Sequence, residues 1–400
     1  MEETSFSGEE LAARARVDPE LIGRLAELGI LGAPPYGLGD VRRVRLADAC
    51  RQAGLSLEGI GQAIAAGRLS FAFLDLVSLA GRPRTGTTYE QLCAELELPM
   101  ALVQRIHEAS GLGRPRPEDP IHSLDRDLLA STRLGRALGL DDGVLIRLSR
   151  VYGENLRRIA QAEPEFYHDH IEGPLLASGM DERRMREAAS QLSDQLAEVV
   201  QRVLLALYHR HQERYTIDHL VAHIEAVVAE QPLRRPPAMC FLDLTGYTRL
   251  TEERGDRAAA ALATSLADLV EQVSLPHDGQ PVKWLGDGVM FHFPRPAQAV
   301  VAALEMVERT PEAGLPEAHV GLHAGPVVFQ DGDYFGRTVN LAARIAAHAG
   351  PGQVLVSDQV VAECGGGAVS FEPIGPVPLK GVADPVPLHR ASRAGVPSGG

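Results

Sequence analysis

Residues 231–238 read QPLRRPPA. Proline fixes φ and has no amide hydrogen to donate, so three of them here stop any helix and bar a central strand. A chain of 400 residues is already too long for a single core, and two or three domains are expected. The proline-rich break places the division. Upstream of it the apolar residues recur at helical spacing; downstream, short apolar runs alternate with Gly-rich turns and read as strands.

The break ends a strongly helical stretch, residues 180–230. Met185, Ala189, Leu192, Leu196, Val199, Val203 and Ala206 follow one another in steps of four and three. That spacing is a coiled-coil seam, and it is equally the buried stripe of one amphipathic helix on its own domain. Six of the 14 histidines fall in or just before this stretch: His168, His170, His209, His211, His219 and His223. His219 and His223 share a helix face, without the intervening glutamate of a zinc hydrolase. Solvated side chains are the plain reading of the six, and a group titrating near neutrality is the functional one.

Further upstream, FSGEELAARARVDPELIGRLAELGILG predicts two short helices around a turn at Val17, with Asp18 as N-cap and Pro19 in the first helical position. Roughly 80 residues later TYEQLCAELELPMALVQRIHEASGLG repeats the plan. Leu92, Cys93, Leu98, Leu102, Val103 and Ile106 stand where the first copy has Leu11, Ala12, Val17, Leu21, Ile22 and Leu25. Each copy resembles a MerR-type helix-turn-helix module. A DNA-reading helix carries Arg, Lys, Asn or Gln toward base edges, and PELIGRLAEL offers one arginine against two glutamates. With a net charge of −14 the chain is a poor polyanion binder. A helical regulatory scaffold is therefore expected ahead of DNA binding. The acidic start is not a secretory signal, no stretch reads as a membrane span, and four scattered cysteines suit free thiols in the cytoplasm.

The chemistry lies after the break. AMCFLDLTGYT reads as a buried strand, Ala238 to Leu244, interrupted by Asp243, and a carboxylate there is costly unless paired or bound to metal. KWLGDGVMF is a hairpin with Asp287 at its turn. Two aspartates and the backbone carbonyl of Leu244 make an oxygen site for a hard divalent ion. Asn340 and Arg344, four apart on a helix, share one face, while Lys380 sits in a turn between two strands.

These pieces stand in an order that closely resembles class III nucleotide cyclases over residues 238–392: FLDLTGYT, KWLGDGVM, DYFGRTVNLAAR and LKGV. The resemblance implies an α+β catalytic domain built on a ferredoxin-like βαββαβ unit, preceded by an all-α regulatory domain with MerR-like modules at 1–179, a helical transmitter at 180–230, a linker at 231–237, and a disordered tail at 393–400. Role by role, it implies that Asp243, Leu244 and Asp287 bind two Mg²⁺ or Mn²⁺ ions, that Lys283 and Asp333 read the purine, that Asn340 orients the ribose, that Arg344 stabilises the transition state, and that Lys380 contacts the terminal phosphates. Lys283 donates and Asp333 accepts, which matches adenine and opposes guanine. The family's sites form between two catalytic domains, so the resemblance implies a homodimer sharing two sites, with ATP as substrate and cyclic AMP as product. In that dimer Lys283 and Asp287 of one hairpin serve different sites. The N-terminal half resembles the helical regulatory domain of some actinobacterial cyclases, with protons or an apolar ligand as trigger. The competing reading is a MerR-like DNA-binding regulator that uses the cyclase-like domain as a nucleotide sensor.

Overall fold

The structure, a computed structural model, describes residues 5–71, 84–180, 182–228, 236–364 and 368–395. Most of the expected linker 231–237 and of the expected tail lie outside these residues. The chain falls into two compact units, Met1–Asp218 and His219–Gly400.

The first unit opens with helices α1 (Gly8–Ala15), α2 (Pro19–Glu27), α3 (Leu38–Gln52) and α4 (Leu57–Ala65). Ser7 and Glu10 form a reciprocal capping box at α1, and Asp18 accepts from the Glu20 amide at 2.9 Å with Pro19 in the first turn of α2. Strand β1 (Arg84–Thr88), α5 (Tyr89–Leu96), α6 (Met100–Ala109), β2 (Pro120–His122), α7 (Ser123–Ala137) and α8 (Asp142–Tyr167) follow. Local details recur between the two sets. Thr88 and Gln91 repeat the capping box, and Arg16 and Glu97 both close their first helix with positive φ, at 62° and 54°. The β1–β2 pairing stands where the first set has a single Phe6–Tyr36 bridge. Each set buries its own core, around Leu11, Leu25, Ile30 and Val44 in one and Leu92, Val103, Ile106 and Leu129 in the other.

The two sets differ in one buried polar position. In the first, Asp40 accepts from the Arg43 guanidinium at 2.9 Å. In the second, Asp125 accepts from the Tyr89 hydroxyl at 2.6 Å and lies 3.8 Å from His107, which is itself buried. Burial raises the Asp125 pKa, but hydrogen bonds from His107 and Tyr89 outweigh it and hold the carboxyl below its ordinary range.

After α8 the chain makes a π-helical turn, His168–Glu172, then α9 (Gly173–Ala177) and the 47-residue α10 (Glu182–Val228). The seam along α10 splits. Met185 and Ala189 are buried against Ile171, Leu175 and Leu176, with Leu192 and Leu196 beside them, whereas Val199 and Val203 are exposed. Packing within the domain therefore accounts for the first half of the seam only.

The second unit contains β3 (Ala238–Leu244), α11 (Tyr247–Arg254), α12 (Asp256–Ser274), β4 (Gln280–Trp284), β5 (Gly288–Phe293), α13 (Pro296–Arg309), β6 (Ala318–Ala324), β7 (Val328–Gln330), β8 (Asp333–Phe335), α14 (Arg337–Ala346), β9 (Val354–Ser357), α15 (Asp358–Cys364), β10 (Val369–Val377) and β11 (Val386–Arg393). Seven strands form one sheet in the order β10-β11-β9-β6-β3-β5-β4. Its β6-β3-β5-β4 part is antiparallel throughout, the order of a βαββαβ unit, and β9 joins β6 in parallel. β3 lies between β5 and β6 and is nearly continuous in apolar residues because both its faces are covered. Cys240, Leu242 and Leu244 pack with α12 and α13. Met239 packs with Met290 and with Ala342 of α14 on the opposite face.

Two sequence expectations change. Ala258–His277 is long and apolar enough, by length and composition, to cross a membrane. Its Leu266, Leu269, Val270 and Val273 are buried in the sheet core, which marks it as a core helix. Arg393, expected in the tail, ends β11 and pairs with Glu308 at 2.7 Å.

α14 sits hard against the sheet at Gly321. A Cβ there would lie 2.0 Å from the Ala346 amide nitrogen, a backbone atom with nowhere to go. Gly321→Ala is expected to lift α14 off β6 and to cost about 1–3 kcal/mol, read as a lowered midpoint in thermal or urea unfolding of the full chain.

Candidate active site

The β-ladder sets the first pair of side chains. Asp243, the last residue but one of β3, lies opposite Gly288 on one side and His319 on the other. Asp287 precedes Gly288 in the β4–β5 turn, where the Leu285 amide donates to the Gly288 carbonyl at 2.8 Å and Gly286 takes φ 81°. The Leu244 amide donates to the Asp287 carbonyl at 3.3 Å, tying the turn to the end of β3. Burial, and then the charge of Asp287, pushes the Asp243 pKa up, while His319, 3.7 Å away, works in the opposite direction. Gly288 leaves open the space beside Asp243, since a Cβ would stand 3.0 Å from its Oδ1. Two carboxylates on adjoining backbone positions, with no Lys or Arg ion pair to either among the described residues, form a donor set that fits a hard divalent cation.

A second pair bridges different elements. Lys283 of β4 donates to Oδ2 of Asp333 on β8 at 2.8 Å, so Lys283 pairs with Asp333 and not with Asp287. Oδ1 of Asp333 accepts from the Tyr334 amide at 2.9 Å. Donor and acceptor are thus already face to face.

α14 carries the third group. Leu341, Ala342 and Ile345 face inward, while Asn340 and Arg344 are exposed and have no hydrogen-bond or ion-pair partner among the described residues. Lys380 is exposed in the loop between β10 and β11. The neighbouring Leu379 packs in one cluster with Leu341 and Ile345, so this loop is anchored to α14. The structure therefore brings Asp243 together with Asp287, and Lys283 with Asp333. It pairs neither Asn340, Arg344 nor Lys380 with the aspartates.

The family of adenylate cyclase regulatory domains matches residues 37–212, and that of adenylate and guanylate cyclase catalytic domains matches residues 233–389. A relative named pH-sensitive adenylate cyclase MT1302, from Mycobacterium tuberculosis, is 30% identical over 336 residues, 80% of this chain and 82% of its own length. The chain belongs to the class III adenylate cyclase family. An adenylate cyclase of Streptomyces coelicolor is 30% identical over 244 residues, 58% of this chain and 60% of that one. Among solved structures, the adenylyl cyclase CyaB from P. aeruginosa matches 40% of this chain and 94% of its own at 22% identity, with a TM-score of 0.37.

In this cyclase the six histidines of the first unit and α10 do not gather. His168 donates from Nδ1 at 2.8 Å to the buried carboxylate of Glu172, whose hydrogen bond and charge raise the histidine's pKa. His170 lies edge-on to Phe166, His209 lies near Tyr208 and His211 near Tyr215; His209, His211, His219 and His223 are exposed along α10. Among the described residues no three His, Cys, Asp or Glu side chains form a metal-ready group.

Sequence reasoning did not single out His319, Gly288, His292 or Tyr334. Each becomes visible only through strand register or stacking. Gly288 carried a faint signal as the second glycine of Gly-Asp-Gly.

Asp287→Asn removes the like charge that disfavours ionised Asp243. Without added metal the variant is expected to melt no lower than the parent. With Mn²⁺ the parent midpoint rises and the variant's does not, as differential scanning fluorimetry would show.

Proposed function

We propose that the chain converts ATP to 3′,5′-cyclic AMP and pyrophosphate at two equivalent sites shared by a homodimer. The observation that carries this is the division of the chemistry within one chain: the aspartate pair at the sheet and the exposed Asn340 and Arg344 on the flank of α14 that leaves it. Two copies facing one another would complete each site with one copy's aspartates and the other's α14. Exposed apolar residues around the same hairpins support such a partner: Trp284 and Leu285 at the β4–β5 tip, and Val328, Phe329 and Phe335 on β7–β8.

Asp243, Asp287 and the Leu244 carbonyl would hold Mg²⁺ or Mn²⁺, which supplies activation of the 3′-hydroxyl and charge neutralisation at the triphosphate. Asn340 orients the ribose so that this hydroxyl lies in line with the α-phosphorus. Arg344 meets the charge that builds on the phosphoryl oxygens, electrostatic stabilisation whose loss typically costs about 10²-fold or more. Lys380 holds the departing pyrophosphate end. Lys283 donates to adenine N1 and Asp333 accepts from the 6-amino group; guanine reverses both requirements.

Two MerR-like modules followed by the α10 transmitter form the regulatory part in this reading. The exposed apolar residues Val199, Val203, Leu207, Leu220, Ile224 and Val228 on α10 offer a surface for a second copy. A DNA-reading role fits less well, because Arg24, the one arginine of α2, is taken up by Glu27 at 3.4 Å and Glu58 at 2.6 Å. An apolar trigger also fits poorly in the cleft of about 840 Å³ beside α2, whose lining includes Arg16, Asp18, Glu20, Arg24, Glu27, Asp48 and Arg51. A proton suits the His168–Glu172 pair better. The histidine's pKa is raised in the folded chain, so the pair's contribution is complete below the ordinary histidine range and is lost as pH rises through the raised value. The free cysteines Cys50, Cys93, Cys240 and Cys364 agree with a cytoplasmic setting.

Purified full-length protein with Mn²⁺-ATP is expected to produce cyclic AMP, and Asp287→Ala and Arg344→Ala are each expected to lose at least about 100-fold. Mixing the two variants restores activity, because one site of the mixed dimer keeps its aspartates and its arginine. Inactive parent protein would refute the reading; inactive mixtures would refute the shared site. Separately, the melting difference between parent and His168→Ala is expected to shrink as pH rises from about 6 to 8.

A further inference from the structure

The β7–β8 hairpin carries Asp333, yet it joins no strand of the main sheet. Two strands of three residues do not hold themselves in place. Their attachment is aromatic. The Tyr334 ring lies parallel to the His292 ring, with centroids 4.5 Å apart and planes 8° apart, and Phe329 packs against Tyr334 with centroids 4.9 Å apart. Tyr334 also joins the cluster around Met239, Met290 and Ala342.

His292 sits on β5, on the same face as Met290, the cross-strand partner of Lys283. The stack therefore ties the strand pair that bears the lysine to the hairpin that bears the aspartate. Tyr334 acts a second time through its backbone, whose amide holds Oδ1 of Asp333 and leaves Oδ2 to Lys283. Burial lowers the His292 pKa to about 4, so the ring is neutral at physiological pH, and its buried Nδ1 has no hydrogen-bond partner among the described residues. What this imidazole offers is its flat face.

We propose that the His292–Tyr334 stack is the positioning element for purine choice: it fixes Lys283 and Asp333 relative to each other and so sets the preference for adenine over guanine. The inference rests on the reading that Lys283 and Asp333 contact the base. Adenine and guanine present opposite donors and acceptors at those positions, so discrimination depends on readers held within about half an ångström. Loosening the hairpin relaxes the choice of base before it harms the chemistry, which is carried by Asp243, Asp287 and Arg344.

The test uses full-length dimeric enzyme and compares kcat/KM for ATP and GTP. Tyr334→Leu keeps apolar bulk and removes the flat ring. It is expected to lower the ATP/GTP ratio about tenfold, mostly through a raised KM for ATP, with kcat within about twofold. His292→Phe keeps a flat ring and is expected to retain the parent ratio. Equal losses for both nucleotides in Tyr334→Leu would mean packing alone and would overturn the proposal. His292→Leu carries the same test from the other ring if Tyr334→Leu does not fold. Lys283→Ala and Asp333→Ala separate the two levels. If they collapse the ratio and neither stack variant does, the positioning role falls and the base contacts stand. If they leave the ratio unchanged, the base-reading assignment falls and the stack proposal falls with it.

Discussion

Everything at the candidate site depends on β3 being hydrogen-bonded on both sides. A strand between two neighbours cannot slip, because a shift of one residue would turn Cys240, Leu242 and Leu244 out of the core. That lock puts Asp243 opposite Gly288, hence beside Asp287, and opposite His319. It also presents β6 to α14, whose close approach at Gly321 fixes the helix that carries Asn340 and Arg344. Burying apolar strand residues thus holds two like-charged carboxylates nearer to one another than either would remain in water. Burial first, and the charge of Asp287 second, strain the ionised form of Asp243 and raise its pKa.

The strain is useful if a cation relieves it. Carboxylates that already balanced their charge with lysine or arginine would bind metal poorly, since the ion would first have to break those pairs. The chain does make such a pair, but between other residues: Lys283 and Asp333 satisfy one another. One charge arrangement, near the end of β3, is unbalanced and suits an ion; the other, between β4 of the main sheet and the separate β7–β8 hairpin, is already balanced.

The regulatory half shows how a repeated plan diverges. Capping boxes, positive-φ helix ends and core positions recur in both helical sets because they are backbone requirements. The buried acid keeps its place but changes its companion: a permanent cation, Arg43, in the first set, and Tyr89 with His107 in the second. Apolar periodicity made the repeat visible in the sequence. The change of companion was not visible, because Asp125, His107 and Tyr89 lie on different helices and meet only when those helices pack.

The sequence by itself determined the strand that carries Asp243, the hairpin that carries Lys283 and Asp287, and the helix that bears Asn340 and Arg344. Those follow from local periodicity, turn residues and motif order, all written within a few residues of one another. Only the tertiary structure decided the partners. Lys283 chose Asp333 over Asp287 because the β4–β5 hairpin turns its lysine toward β8. The α10 seam packed for half its length and stayed exposed for the rest, because its local partners, Ile171, Leu175 and Leu176, end there. His292 found Tyr334 across separate strands. Register and packing bring together residues that are distant in the chain, and no spacing within one segment encodes the contacts made between segments.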